Sequence, residues 1–447
     1  MLIHINSTFF AMKTMKIAIT TLGCKVNQYD SVTIEEALLA KGFEIVDFTS
    51  HADVYIINTC TVTHKTDYQS RQLIRRAQKV NPHARIVVTG CYAQVAPEAL
   101  AHMPGVSLIL GNAQKHKIAD VVDRFPDKNA SGILVTDINR ETCFRDPSLH
   151  SFSHHTRAFL KIQDGCASFC SYCIVPYARG KPRSLPVEET VQRLVTLSNA
   201  GFKEIVLTGI HLGAYGVDHT PPTNLLTLLE LIDAKKPVPR IRLSSLEPMD
   251  ITNELVDFLS TAKTICPHLH LALQSGDDEV LKRMNRTYQA GDFKNLVALL
   301  RTKIPNLCLG TDVIVGFPGE SDQHFNNTHA LLQELPISYF HVFPYSKRNK
   351  TRAAGFPDHL PRKIIKERGE VLRTLGNTKK IKFYSGHIGR LVNVLLENKR
   401  DKQFHCLKGR SRNYIPVLVE GSDSLINQEC AVLITRVEEG RVWGILQ

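Results

Sequence analysis

The sequence has a single Trp and no apolar run near the roughly 18–20 residues that a membrane-spanning helix requires; stretches such as Ile86–Thr89 are strand-sized. No G-x-x-x-x-G-K or G-x-G-x-x-G follows a candidate strand, which excludes the usual phosphate-cradling loops. The opening MLIHINSTFFAMKTM has no basic start, apolar stretch and small-residue cleavage site in succession, so no signal peptide is expected. Periodic sequence begins at Lys16, which favours a start at Met12 or Met15 over Met1. Acid is also in deficit: 43 Asp and Glu face 55 Lys and Arg, a net charge of +12.

At 447 residues, with 43% hydrophobic and 22% charged residues, the chain has the composition of a globular protein of two to four domains. Its 11 cysteines are an odd number spread over a long chain. That distribution suits metal or redox chemistry in a reducing cytoplasm better than a disulfide framework.

The fold class read from the pattern is α/β with a β tail. From Lys16 to about Arg124, β-branched runs (Lys16–Thr20, Asp53–Ile57, Arg85–Thr89, Ser107–Leu110) alternate with amphipathic stretches, predicting an open parallel α/β domain over 15–127. A Ser-, His- and Pro-rich segment, 128–152, reads as a linker. A second series follows over 153–381, with strands at Arg157–Ile162, Glu204–Thr208, Arg240–Ser244, His268–Leu273, Cys308–Val315 and Ser338–Phe343. Six units fall short of a closed eight-fold barrel and predict a partial (β/α)6 barrel. Residues 382–447 alternate strictly, with strands expected at Arg390–Leu396, Gln403–Leu407, Tyr414–Val419, Cys430–Val437 and Val442–Leu446, and predict a small β-barrel.

The cysteines fall into two groups. Cys166, Cys170 and Cys173 form C-x3-C-x2-C just after the first strand of the second series, on the face where barrel active sites occur. Three close thiolates can grip one face of a metal cluster and leave a position open, and an open position implies chemistry. The alternatives are small buried residues or a zinc site with a distant fourth ligand. Cys24, Cys60 and Cys91 are far apart in sequence, yet each follows a predicted strand of the first domain. Loops after parallel strands gather at one sheet edge, so the three can converge; the residues alone leave convergence and three small core residues both open. Cys143, Cys266, Cys308, Cys406 and Cys430 have no partner spacing, and the histidines, including His154–His155 and the pair His268 and His270, are expected to be ordinary.

The GCASFCSYCIVP segment, with Tyr172 directly before the third cysteine, resembles the radical S-adenosylmethionine superfamily. That resemblance implies a [4Fe-4S] cluster on Cys166, Cys170 and Cys173, S-adenosylmethionine chelating the fourth iron, reductive cleavage to a 5′-deoxyadenosyl radical, and Tyr172 against the adenine. TLGCKVNQYDS, NTCTVT and TGCYAQ in turn resemble the methylthiotransferase family, in which Cys24, Cys60 and Cys91 would bind a second [4Fe-4S] cluster that handles the sulfur. The resemblance runs from about Lys16 to the C-terminus, whose β-domain is similar to the RNA-binding TRAM module. CKVNQYDS looks most like the subfamily acting on N6-threonylcarbamoyladenosine beside the tRNA anticodon. Isopentenyladenosine in tRNA or a ribosomal-protein aspartate are the alternative substrates, and a non-catalytic iron–sulfur RNA-binding protein is the alternative of another class. An electron donor and a sulfur source are implied partners.

Polar strand ends offer further cofactor contacts: Glu247 in SSLEP, Gln274 in QSG and Asp312 in GTDVIVGFPGE, each delivered to the barrel's C-terminal face. The positive charge is concentrated. Windows Lys65–Arg85, Tyr345–Arg373 and Lys399–Arg412 together carry +16 on a background of −4, which predicts a phosphate-tracking surface. Phe404 and Tyr414 around Lys408, Arg410 and Arg412 resemble the aromatic and basic mixture of single-strand binders.

Overall fold

The structure is a computed structural model that describes residues 14–124, 132–145 and 156–447. Met1, Met12, the expected boundaries at 127/128 and 152/153, and His154–His155 lie outside the described residues.

The first domain is a parallel sheet in the order β2-β1-β3-β4-β5-β6, built from β1 (Lys16–Thr21), β2 (Glu44–Val46), β3 (Val54–Thr59), β4 (Arg85–Gly90), β5 (Val106–Leu110) and β6 (Gly132–Leu134). The central β3 reads as continuous burial because apolar clusters cover both faces of the sheet. Helices α1 (Lys25–Ala40) and α2 (His64–Val80) follow β1 and β3. Thr63 caps α2 by accepting from the Thr66 amide at 3.2 Å. Two strands lay beyond the sequence reading: β2, only three residues long, and β6, inside the stretch read as a linker.

The second unit contains the six expected parallel strands: β7 (Arg157–Lys161), then Glu204–Thr208, Arg240–Leu243, His268–Gln274, Cys308–Val315 and Tyr339–Pro344. The first three pair in one sheet and the last three in another, joined by a parallel bridge between Ile241 and Ile265. No pairing joins the Tyr339–Pro344 strand to β7, so the barrel is partial and open on that side. Its outer face packs on helices through one large apolar cluster that also takes in Tyr29 of α1.

After the long helix Arg362–Ser385, five strands close a small barrel around Val394, Leu407, Val417, Val432 and Val442. Here the sequence reading of a strand over Gln403–Leu407 is corrected: Lys402–Phe404 form a turn, and the strand is Leu407–Ser411, inside the basic window. Leu407, Gly409 and Ser411 point inward and Lys408 and Arg410 alternate with them, so basic residues occupy a true strand. No helix of the described residues is long and apolar enough to cross a membrane.

Candidate functional site: two cysteine triads and adjoining cavities

Parallel topology brings the strand-following loops of the first domain to one edge, and Cys24, Cys60 and Cys91 meet there. Two glycines make the approach possible. Gly23 has φ +102, and a Cβ on it would stand 2.9 Å from Cys60 Sγ; Gly90 has φ +99, and a Cβ there would stand 2.3 Å from Thr59 O. Only glycine fits both the left-handed backbone and the space. Asn27 fastens the loops by donating to Leu22 O at 2.8 Å and Thr59 O at 3.0 Å. Burial first, and then the neighbouring Cys91, push the Cys60 thiol up to about 11, so the sulfurs feel one another. No cysteine is in a disulfide.

Beside Cys91 lies a buried charge network that spans both domains. Arg179, at the end of the short helix Val175–Arg179, donates from Nε to Cys91 Sγ at 3.4 Å, from Nη1 to Asp164 at 3.0 Å and from Nη2 to Asp30 at 3.1 Å. Asp30 also accepts from Lys115 and Lys161, each at 2.7 Å. Burial pushes the Asp30 carboxyl up, but these three cations hold it well below its ordinary value. Arg179 thereby sets a buried guanidinium directly against Cys91. An anionic thiolate-bound centre would balance it.

The second triad sits in the loop after β7. Cys166 Sγ accepts from the Ser168 amide at 3.4 Å and lies 3.8 Å from His211 Nδ1, whose Nε2 is 2.9 Å from Asp250. Cys170 Sγ accepts from Arg286 Nη1 at 3.2 Å. Burial, then Cys170, push the Cys173 thiol up to about 12.

Among the described residues, only His270, Asp312 and His341 bring ligating atoms all within 4.8 Å of one another. The donor set of each triad, three thiolates, is the kind that holds an iron–sulfur cluster.

One cavity opens from the second triad and a second adjoins it. The first, of about 210 Å³, is lined by Tyr172, Cys173, Ile174, Gln274, Asp312 and Phe343 among others, so three of the four expected cofactor contacts share one space. Glu247, the fourth, is not in that lining: its carboxylate is taken by Arg286. A larger cavity, of about 390 Å³, continues into the barrel and shares Asp312 and Phe343 with the first. Lys25, the residue after Cys24, reaches its wall, as do His268, His270, Tyr339, Arg410 and Tyr414.

Sequence reasoning passed over Arg179, Arg286, His211, His268 and His270. It also treated Cys308 as a bystander, although that residue lines the larger cavity. A signal existed: Arg240 and Arg242, His268 and His270, and Tyr339 and His341 each place polar side chains two apart on strands that should read apolar throughout. Such a pattern marks a polar lumen.

The basic windows are partly internal. Arg348 is buried against Asp67 at 2.7 Å, and Arg368 pairs with Glu320 and, at 2.7 Å, with Asp322. Tyr414 is turned away from any outer RNA surface and stacks on His268 at 4.1 Å. Lys65, Arg75, Arg76 and Lys79 on α2 stay exposed.

Two family models match: Uncharacterized protein family UPF0004 over residues 16–111 and the Radical SAM superfamily over 160–332. The chain is 40% identical to threonylcarbamoyladenosine tRNA methylthiotransferase MtaB of Aquifex aeolicus, over 91% of this chain and 97% of the relative. It is 38% identical to the MtaB of Bacillus subtilis over 94% of each. Similarity to the tRNA-2-methylthio-N(6)-dimethylallyladenosine synthase of Pelotomaculum thermopropionicum is 30%, over 96% of this chain and 97% of that one. Among solved structures, the radical S-adenosylmethionine methyltransferase TsrM of Kitasatospora setae matches with a TM-score of 0.56 at 16% identity, covering 74% of this chain and 75% of that one, a likeness of fold. With relatives this similar along nearly its whole length, and with both cysteine triads assembled, the chain belongs to the radical S-adenosylmethionine methylthiotransferase family.

Proposed function

We propose that this protein adds a methylthio group to C2 of N6-threonylcarbamoyladenosine at position 37 of tRNA, beside the anticodon, by S-adenosylmethionine radical chemistry. The observation that carries the reading is the adjoining of the two cavities at Asp312 and Phe343, with Cys173 on the wall of one and Lys25, next to Cys24, on the wall of the other. A substrate base in the larger cavity would then lie between the two triads.

Cys166, Cys170 and Cys173 would hold one [4Fe-4S] cluster, and Cys24, Cys60 and Cys91 the other. When bound, the first supplies an electron to cleave S-adenosylmethionine and the second presents sulfur. The chain's own residues do the rest. Tyr172, Gln274 and Asp312 line the 210 Å³ space that would take the adenosyl group. Arg286 ties Glu247 to Cys170 and so orients the strand end carrying Glu247. Arg179 supplies the positive environment that a thiolate-bound cluster requires.

Exposed cations on α2, with others after Tyr345, would follow the tRNA backbone. An electron donor and a sulfur source act as external partners. A tRNA substrate and thiolate-held clusters both suit a reducing cytoplasm.

The test is nucleoside mass spectrometry of tRNA from a strain lacking the protein. Loss of methylthiolated threonylcarbamoyladenosine, restored by the intact gene, is expected. Loss of the methylthiolated isopentenyl nucleoside instead would overturn the substrate assignment.

A further inference from the structure

The 390 Å³ cavity falls in the range of small-molecule sites, roughly 300–1,000 Å³, and its lining is unusual for a barrel lumen. Three cations, Lys25, Lys380 and Arg410, reach it from three separate parts of the chain. Four buried polar atoms on its wall have no hydrogen-bond partner: Ser244 Oγ, His268 Nδ1, Arg410 Nε and Asp312 Oδ1. Each such atom costs about 1–3 kcal/mol unless something pairs with it. Asp312, the one carboxylate of the lining, stands 2.9 Å from His270 Nε2 without hydrogen-bond geometry, so it is the wall's single acceptor-only group among the three cations.

The wall is also held under tension. Tyr414 has φ +70, a left-handed backbone rarely adopted by a bulky residue. It is kept there between the guanidinium groups of Arg410, 4.3 Å from its ring centroid, and Arg242, at 4.9 Å, while its ring stacks on His268. Backbone strain of this kind persists where surrounding contacts over-determine it, and it clusters at binding sites.

Resting on the function proposed above, we infer that this cavity recognises the N6 substituent of the target adenosine through its carboxylate. Arg410 is the principal anion-binding group, Lys380 and Lys25 add positive field, and His268 Nδ1 and Ser244 Oγ meet the substituent's hydroxyl and urea groups. An apolar isopentenyl group would leave all of these unpaired, so the cavity discriminates by chemistry as well as by shape. The basic hairpin of the C-terminal barrel thereby becomes a wall of the substrate site in addition to any part in binding RNA.

The experiment uses the full chain, reconstituted anaerobically, with three anticodon stem-loops: one bearing threonylcarbamoyladenosine, one its neutral methyl ester, and one isopentenyladenosine. The free acid is expected to exceed the ester in kcat/KM by about 10- to 100-fold. Arg410→Gln should shrink that gap to under about 3-fold, chiefly by lowering the rate with the acid. Equal rates on acid and ester by the unaltered protein would overturn the inference, as would an unchanged gap in the variant. The acid–ester comparison stands alone should the variant fail to fold. Activity on the isopentenyl stem-loop only would instead overturn the substrate assignment beneath it.

Discussion

Arg179 Nε lies 3.4 Å from Cys91 Sγ, a contact that joins the barrel domain to the sheet domain at the point where three distant cysteines meet. Arg179 is 1% exposed, and its remaining donors go to Asp164, Asp30 and Asn27. Replacing it with Met removes the charge nearest Cys91 and the closest cation of buried Asp164, and leaves Asp30 with Lys115 and Lys161 only. Loss of about 3–5 kcal/mol of stability is expected, from the unfolding midpoint of the apoprotein. In whatever protein folds, iron after anaerobic reconstitution should fall from about eight to about four atoms per chain, the content of one cluster.

Gly23 gives a cleaner separation of the two triads. Ala at this position would force a Cβ against Cys60 from a backbone φ of +102, while touching nothing near Cys166. Gly23→Ala should therefore lower sulfur insertion at least 10-fold and leave reductive cleavage of S-adenosylmethionine within about 2-fold, since the strain stays local. The check is to follow 5′-deoxyadenosine and the thiolated nucleoside in one reaction.

Acid should undock the C-terminal barrel. Buried Glu204 bridges Arg240 and Arg242 at 2.8 Å each, and those arginines reach across to Arg410 O and Arg412 O at 2.9 Å. Burial raises the Glu204 carboxyl, but Arg242, Arg240 and Arg157 outweigh it and hold the value at about 2. A depressed carboxyl stabilises the fold above its unfolded value of about 4.5 and loses that contribution as pH falls toward about 2. The loss is worth about 3 kcal/mol. Glu204→Gln should abolish this acid-dependent component and lower stability at pH 7. Urea midpoints measured from pH 7 to 3 test both.

Binding to tRNA should weaken steeply with salt. Each phosphate neutralised contributes a slope of about −0.7 to −0.9 in log K against log salt. Exposed Arg75 and Arg76 stand on the outer face of α2, and changing both to Ala should reduce the slope by about 1.5. Arg348, buried against Asp67, belongs to the same basic count in sequence, yet its removal should cost stability and leave the slope unchanged.

Much of this organisation is legible in the sequence because parallel topology is a strong constraint. Six barrel strands emerge from apolar runs at regular intervals, and the convergence of Cys24, Cys60 and Cys91 follows once each is seen to end a strand of one parallel sheet. What is not legible has common physical causes. Strands Glu44–Val46 and Gly132–Leu134 are too short for periodicity to register. Arg179 and Arg286 carry no motif spacing, because they act by reaching across tertiary gaps to Cys91 and Cys170. Charge counted along the chain overstates the RNA surface, since Arg348, Arg368, Arg410 and Arg412 turn inward to pair with acids, carbonyls or the lumen. The strand Leu407–Ser411 is hidden by Lys408 and Arg410, whose alternation with Leu407, Gly409 and Ser411 places one face in the barrel core.

The central claim is a division of labour between the two cysteine triads on one substrate. It is tested most directly by anaerobic turnover of the reconstituted protein and its Cys24→Ala variant, with dithionite, sulfide, S-adenosylmethionine and a threonylcarbamoyladenosine stem-loop. The unaltered protein should yield both 5′-deoxyadenosine and the methylthiolated nucleoside, and Cys24→Ala should yield 5′-deoxyadenosine alone. Loss of both products in the variant, or methylthiolation that survives it, would contradict the account.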